Sequence, residues 1–199
     1  VIARGQRRDA LFLTKSDRIR YLQELARALG RHGGLLGAYC LMTNHVHLLI
    51  YRGSRSLGRI FVDVHGRYGR YFNRTHRKVG YVFQGRFKSF LVLRDEYLVA
   101  LVRYLHVNPV EAGMVRVAAG YRWSSDGYYR GGKADQNVGE VLVRVPGYEG
   151  RAGTRKYVQM MSADDDGYKL PRWEQYIGEE QDMKGCERRT RRRTMETRE

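Results

Sequence analysis

His45 and His47 flank Val46 in the run NHVHLLI. A strand sends alternate side chains to opposite faces, so both imidazoles share one face while Val46 and Leu48 take the other. Two ring nitrogens can then reach one ion. The same pair also fits two histidines at a strand end bonded to carbonyls, and in a chain with six histidines an H-x-H arises by chance about 0.2 times. Tyr104 precedes Asn108 by four residues, one helical turn, so phenol and carboxamide face the same point. The competing reading is a core tyrosine ahead of an ordinary Asn-Pro helix stop. His106 lies two residues from Tyr104 and so points to a different helix face.

The elements that would hold these groups can be read in order. Residues 1–8 alternate loosely enough for a strand. Thr14 and Asp17 form a helix-opening capping pair ahead of Ile19, Leu22, Leu25, Ala26 and Leu29, and Gly33-Gly34 ends that helix. Residues 35–42 and 46–51 are short apolar runs around Thr43-Asn44, an antiparallel hairpin. From Leu57, the positions Ile60, Phe61, Val64, Tyr68 and Phe72 fall at helical spacing. Residues 87–93 read as a strand, and residues 95–107 as a third helix stopped by Asn108-Pro109. The expected fold class is α+β, a ferredoxin-like βαββαβ arrangement with a mostly antiparallel sheet and helices on one face. The expected organisation is a main domain over 1–120, a small extension over 121–183 and a basic tail over 184–199.

Charge narrows the partner. Among 199 residues, 37 Lys and Arg outnumber 21 Asp and Glu, a net charge of +16. The tail contributes +4, which leaves +12 on residues 1–183. Nucleic acid is the default partner for such a surplus, and aromatics lie among the charges in GRYGRY (66–71) and GYVFQGRFKSF (80–90), a mixture suited to base stacking beside phosphate contacts. Arg59, Arg67, Arg70, Arg86 and Lys88 are the candidate DNA contacts. No run of 18 apolar residues and no secretory h-region occurs, so no membrane partner is expected. Two cysteines make neither a disulfide framework nor a four-thiolate site, and a cytoplasmic location is expected. The chain opens at Val1 rather than Met, so a short leader is expected before it.

Four segments in order, YCLMTNHVHLLI (39–50), FQGRFKSF (83–90), YLHVNPVEAGMV (104–115) and YRWSS (121–125), resemble the REP-associated tyrosine transposases, single-tyrosine HUH nucleases. The opening VIARGQRRDALF is similar to that family's first strand, and the resemblance spans about residues 1–130. It implies that His45 and His47 bind a divalent cation, Mg²⁺ or Mn²⁺, that Asn108 adds an amide-oxygen ligand, and that Tyr104 is the nucleophile of a DNA transposition reaction passing through a 5′-phosphotyrosine intermediate. It implies single-stranded or hairpin DNA as partner, with a monomer and a homodimer both represented among related enzymes. A rolling-circle replication initiator of the HUH type is the nearest rival. A domesticated DNA-binding protein without cleavage is the rival from another class.

If the charge contacts phosphates, affinity for single-stranded DNA falls steeply between 50 and 200 mM salt. Deleting residues 184–199 lowers that slope only in part, as equilibrium titrations of the two chains would show. A salt-independent affinity contradicts the reading.

Overall fold

The computed structural model describes residues 1–92 and 95–162, so the expected tail over 184–199 and the end of the expected extension lie outside the described residues. Three strands, β1 (Ile2–Arg4), β2 (Leu35–Leu41) and β3 (His45–Tyr51), form an antiparallel sheet in the order β1-β3-β2. The helices are α1 (Lys15–His32), α2 (Leu57–His76), α3 (Asp95–Glu111), α4 (Asp126–Tyr129) and α5 (Gly150–Ser162).

Local chemistry accounts for the ends of α1. The Thr14 hydroxyl accepts from the Asp17 N–H at 3.3 Å, and the Asp17 carboxylate accepts the Thr14 N–H at 2.7 Å, a full capping box. Gly33, with φ of 66°, terminates the helix. The other oxygen of Asp17 receives Tyr71 at 3.2 Å and His76 at 2.9 Å, which ties the start of α1 to the end of α2. The apolar faces of both helices then bury Leu22, Leu25, Leu29, Ile60, Phe61, Val64 and Phe72 against Leu36, Leu41, Val46 and Leu48 of the sheet.

The α+β class holds, and two expectations about the sheet need correction. Residues 87–93 do not form a strand in the described part; residues 83–88 meet β1 and the adjoining Gly5 at isolated bridges, Ile2 to Lys88 and Gly5 to Phe83, with one more bond from the Gln84 N–H to the Arg4 carbonyl at 2.8 Å. With three residues, β1 has too little edge to template a longer ladder. Nor do all helices share one face. α3 packs Leu98, Val102 and Leu105 on Ala38 and Leu49, the face opposite α1 and α2. The expected helix stop at Asn108-Pro109 is also wrong: α3 runs through Pro109 to Glu111. A proline this close to the end removes little of the hydrogen-bond ladder, and Gly113, with φ of 67°, turns the chain instead. Behind α3, Tyr129, Val145, Tyr148 and Tyr157 complete its apolar cluster.

Thr14→Ala leaves the Asp17 N–H without its cap. The expected loss is about 1 kcal/mol of stability in urea titrations, and no loss means the cap is not what starts α1.

Candidate active site

The alternation of β3 decides where its histidines go. Val46 and Leu48 enter the core under α1 and α2, which leaves His45 and His47 on the α3 side. The imidazole centroids lie 4.8 Å apart, and the Tyr104 ring stands edge-to-face to His47 at 5.5 Å. Tyr104 is held there by its helix, whose neighbouring residues Val102 and Leu105 are buried. Burial, with the adjoining His45, pushes His47 down to about 3; burial, with the Arg4 charge, pushes His45 down to about 4. Both rings are therefore neutral near pH 7, the form that can ligate a metal. Cys40 is the register partner of His47, but burial pushes its thiol up to about 12, so it is no ready thiolate ligand.

Asn44, a residue the motif reading passed over, fixes the ring of His45. Its amide nitrogen donates to the Arg8 carbonyl at 3.0 Å, which turns its amide oxygen toward His45 Nδ1 at 2.7 Å. That oxygen can only accept, so His45 carries its proton on Nδ1 and its lone pair on Nε2. The amide nitrogen of Asn108 donates to the Tyr104 carbonyl at 2.7 Å, anchoring the carboxamide to the same helical turn as the phenol.

Among the described residues no group of three His, Cys, Asp or Glu is placed to hold a metal. The donors present are two neutral imidazoles, with the Asn108 amide one helical turn from Tyr104. Two neutral imidazoles on one face are a donor pair that could take a divalent cation and would leave its positive charge available to an anion.

The five candidate DNA contacts do not form one patch. Arg67 and Arg70 lie on α2 in a cleft of about 370 Å³ together with Arg20, Tyr71 and Arg74. Arg20 pairs with Glu24 at 2.7 Å, whereas Arg67, Arg70 and Arg74 have no carboxylate partner among the described residues. Arg86 and Lys88 are exposed along the outer side of β1, and Arg59 is exposed in the first turn of α2.

His106 is fully buried and belongs to a chain of hydrogen bonds behind α3. Tyr157 donates to Asp126 at 2.5 Å, so its oxygen receives the proton of His106 Nδ1 at 2.7 Å. His106 Nε2 must then accept from the Ser125 hydroxyl, also at 2.7 Å, while that hydroxyl accepts the Tyr39 N–H at 3.0 Å. Arg130 closes the chain on Asp126 at 2.6 Å. Every member has its partner and only Arg130 reaches the surface, so the chain of bonds ties α3 to α4, α5 and β2. Sequence alone offers no signal for this, because the partners are 19 and 51 residues away.

Neither a protein-family model nor a curated protein matches the chain. A solved structure of a REP-associated tyrosine transposase bound to a REP hairpin is similar, with a TM-score of 0.53, 15% identity, and coverage of 76% of this chain and 87% of that one. The likeness is one of fold. No helix among the described residues is long and apolar enough to cross a membrane.

The buried histidines imply a pH signature. Burial lowers His45, His65 and His106 to about 4 and His47 to about 3. Between pH 6.5 and 4 the unfolded chain binds protons that the native rings refuse, so stability is complete above 6.5 and declines as pH falls. The shift of His106 from 6.5 to about 4 corresponds to roughly 3 kcal/mol. Denaturant titrations should show His106→Gln weakened at pH 7 yet declining less toward pH 4. An unchanged decline would contradict the lowered His106.

Proposed function

We propose that the protein is a metal-dependent endonuclease and strand transferase for single-stranded or hairpin DNA, with Tyr104 as nucleophile. One observation carries the reading: β3 and α3 bring His45, His47 and Tyr104 into consecutive ring contact, although His47 and Tyr104 are 57 residues apart in sequence. A phosphodiester repels nucleophiles by its negative charge, and a divalent ion held by His45 and His47, with the Asn108 amide oxygen, would offset that charge and orient the phosphorus.

The chain's own residues supply the rest. Tyr104 loses its phenolic proton to solvent and its oxygen bonds to phosphorus, while the bond to the 3′ oxygen breaks and that oxygen takes a proton. The 5′ phosphate stays on Tyr104 as an ester, so a 3′ hydroxyl can attack it later without ATP. Asn44 keeps the lone pair of His45 on Nε2. The arginines of the α2 cleft and the basic side of β1 neutralise backbone phosphates away from the reacting one. The fold likeness to a transposase whose structure contains a hairpin supports the substrate class.

The test uses end-labelled oligonucleotides with Mn²⁺. The full chain should form an adduct that survives denaturation, with a 5′ label released and a 3′ label retained. Tyr104→Phe and His47→Ala should bind DNA within a few-fold of the parent and form no adduct, since binding rests on Lys and Arg. Peptide mapping to Tyr97, Tyr121 or another tyrosine removes Tyr104 from this role, and full activity in His47→Ala removes the metal pair.

A further inference from the structure

The connection from β1 to α1 is built in an unusual way. Arg7 and Arg8 occupy the left-handed region in succession, with φ of 52° and 65°. Glycine or asparagine is the ordinary occupant of such positions. Four hydrogen bonds hold the turn: Gln6 N–H to the Val82 carbonyl at 2.9 Å, Arg8 N–H to Gly5 at 3.1 Å, Asp9 N–H to Gln6 at 2.8 Å, and the Asn44 amide to Arg8 at 3.0 Å. It is also closely packed, for a Cβ on Gly5 would meet the Asp9 carbonyl oxygen at 2.1 Å. Arg4, Arg7 and Arg8 are exposed and have no carboxylate partner among the described residues.

The turn abuts the histidine pair. Arg4 is the register partner of His45, the Gly5 N–H donates to the Asn44 carbonyl at 2.8 Å, and the Asn44 side chain joins the Arg8 carbonyl to His45 Nδ1. Guanidiniums on a rigid, disfavoured backbone, beside a site for a phosphodiester, fit phosphate oxygens better than solvent. We propose that residues 5–9 form a phosphate-binding element for the substrate strand, in which Arg7 and Arg8 take phosphates next to the reacting one. Asn44 is the positioning residue that fixes this element and the His45 ring as one unit. The inference rests on the nuclease reading and adds a binding site to it.

The experiment separates binding from cutting by using the full chain carrying Tyr104→Phe. Arg7→Asn with Arg8→Asn removes both charges and suits the left-handed backbone, so thermal stability should not fall. Arg151→Asn with Arg155→Asn, on exposed positions of α5, matches the charge change. Affinity for a labelled single-stranded oligonucleotide should drop at least tenfold in the first pair relative to the second. Its salt slope should become shallower by about 1.4, as two lost contacts to a single strand imply. Arg7→Lys with Arg8→Lys should recover part of the affinity, and if the asparagine pair fails to fold, Arg7→Gly with Arg8→Gly, which also removes both charges and suits the positive φ, replaces it as the variant compared. Mn²⁺ binding without DNA supplies the second readout: Asn44→Ala should weaken it about tenfold, while the Arg7 and Arg8 pair leaves it unchanged. DNA affinity within twofold of the α5 control at every salt overturns the phosphate element, and unchanged Mn²⁺ affinity in Asn44→Ala overturns its positioning role. If the parent chain forms no adduct, the nuclease reading falls, while these affinities still decide the turn.

Discussion

Strand β3 is the constraint on which the rest of the structure depends, because it is central in the sheet and both of its faces are covered. Period-two alternation leaves no freedom: once Val46 and Leu48 seal the core under α1 and α2, His45 and His47 must face α3. A slip of one residue would bury both imidazoles among aliphatic side chains and expose two aliphatics to the site. The hydrophobic register therefore sets the chemical register. It explains how so small a sheet can hold the two rings 4.8 Å apart without any dedicated loop.

The second face depends on α3 being equally fixed, and here the structure uses polar rather than apolar means. Leu98, Val102 and Leu105 give α3 its seat, but apolar contacts alone tolerate rotation. The chain from Tyr39 through Ser125, His106, Tyr157 and Asp126 to Arg130 does not, because each donor has one acceptor to reach. His106 sits two residues from Tyr104 on the opposite side of the helix. The pose of Tyr104 is thus held from behind by α4, α5 and β2, which gives residues 121–162 a structural connection to the histidine pair.

Much of this was legible in the sequence wherever a local rule and the tertiary fold agreed. Spacing located α1 and α2, with Leu22, Leu25 and Leu29 of α1 and the five named positions of α2 buried while Ile19 and Ala26 are only half-buried; the Thr14 and Asp17 pair marked a real cap, and the H-x-H alternation placed both imidazoles on one face. Local rules failed where the partner was distant. Residues 87–93 have strand composition, yet β1 offers only three residues to pair with. Asn108-Pro109 is an ordinary stop signal, overridden because the final turn needs few further bonds. Tyr129, Tyr148 and Tyr157 show no periodicity that marks them as one cluster, since they converge only when α4 and α5 fold onto α3. Asn44 was missed because its two bonds, to Arg8 and His45, have meaning only together.

On the proposed reading, one electrostatic arrangement serves three demands. The charge of +16 draws in a polyanion, while the Arg4 guanidinium and burial hold His45 uncharged. Neutral imidazoles bring no negative charge of their own, so they offer a dication ligands without competing for it as carboxylates would. The same positive surroundings disfavour a bare dication beside Arg4, and an incoming phosphodiester removes that penalty. Metal and substrate would in this way each favour the other's binding at the edge shared by His45, His47 and Tyr104, because each offsets part of the other's charge.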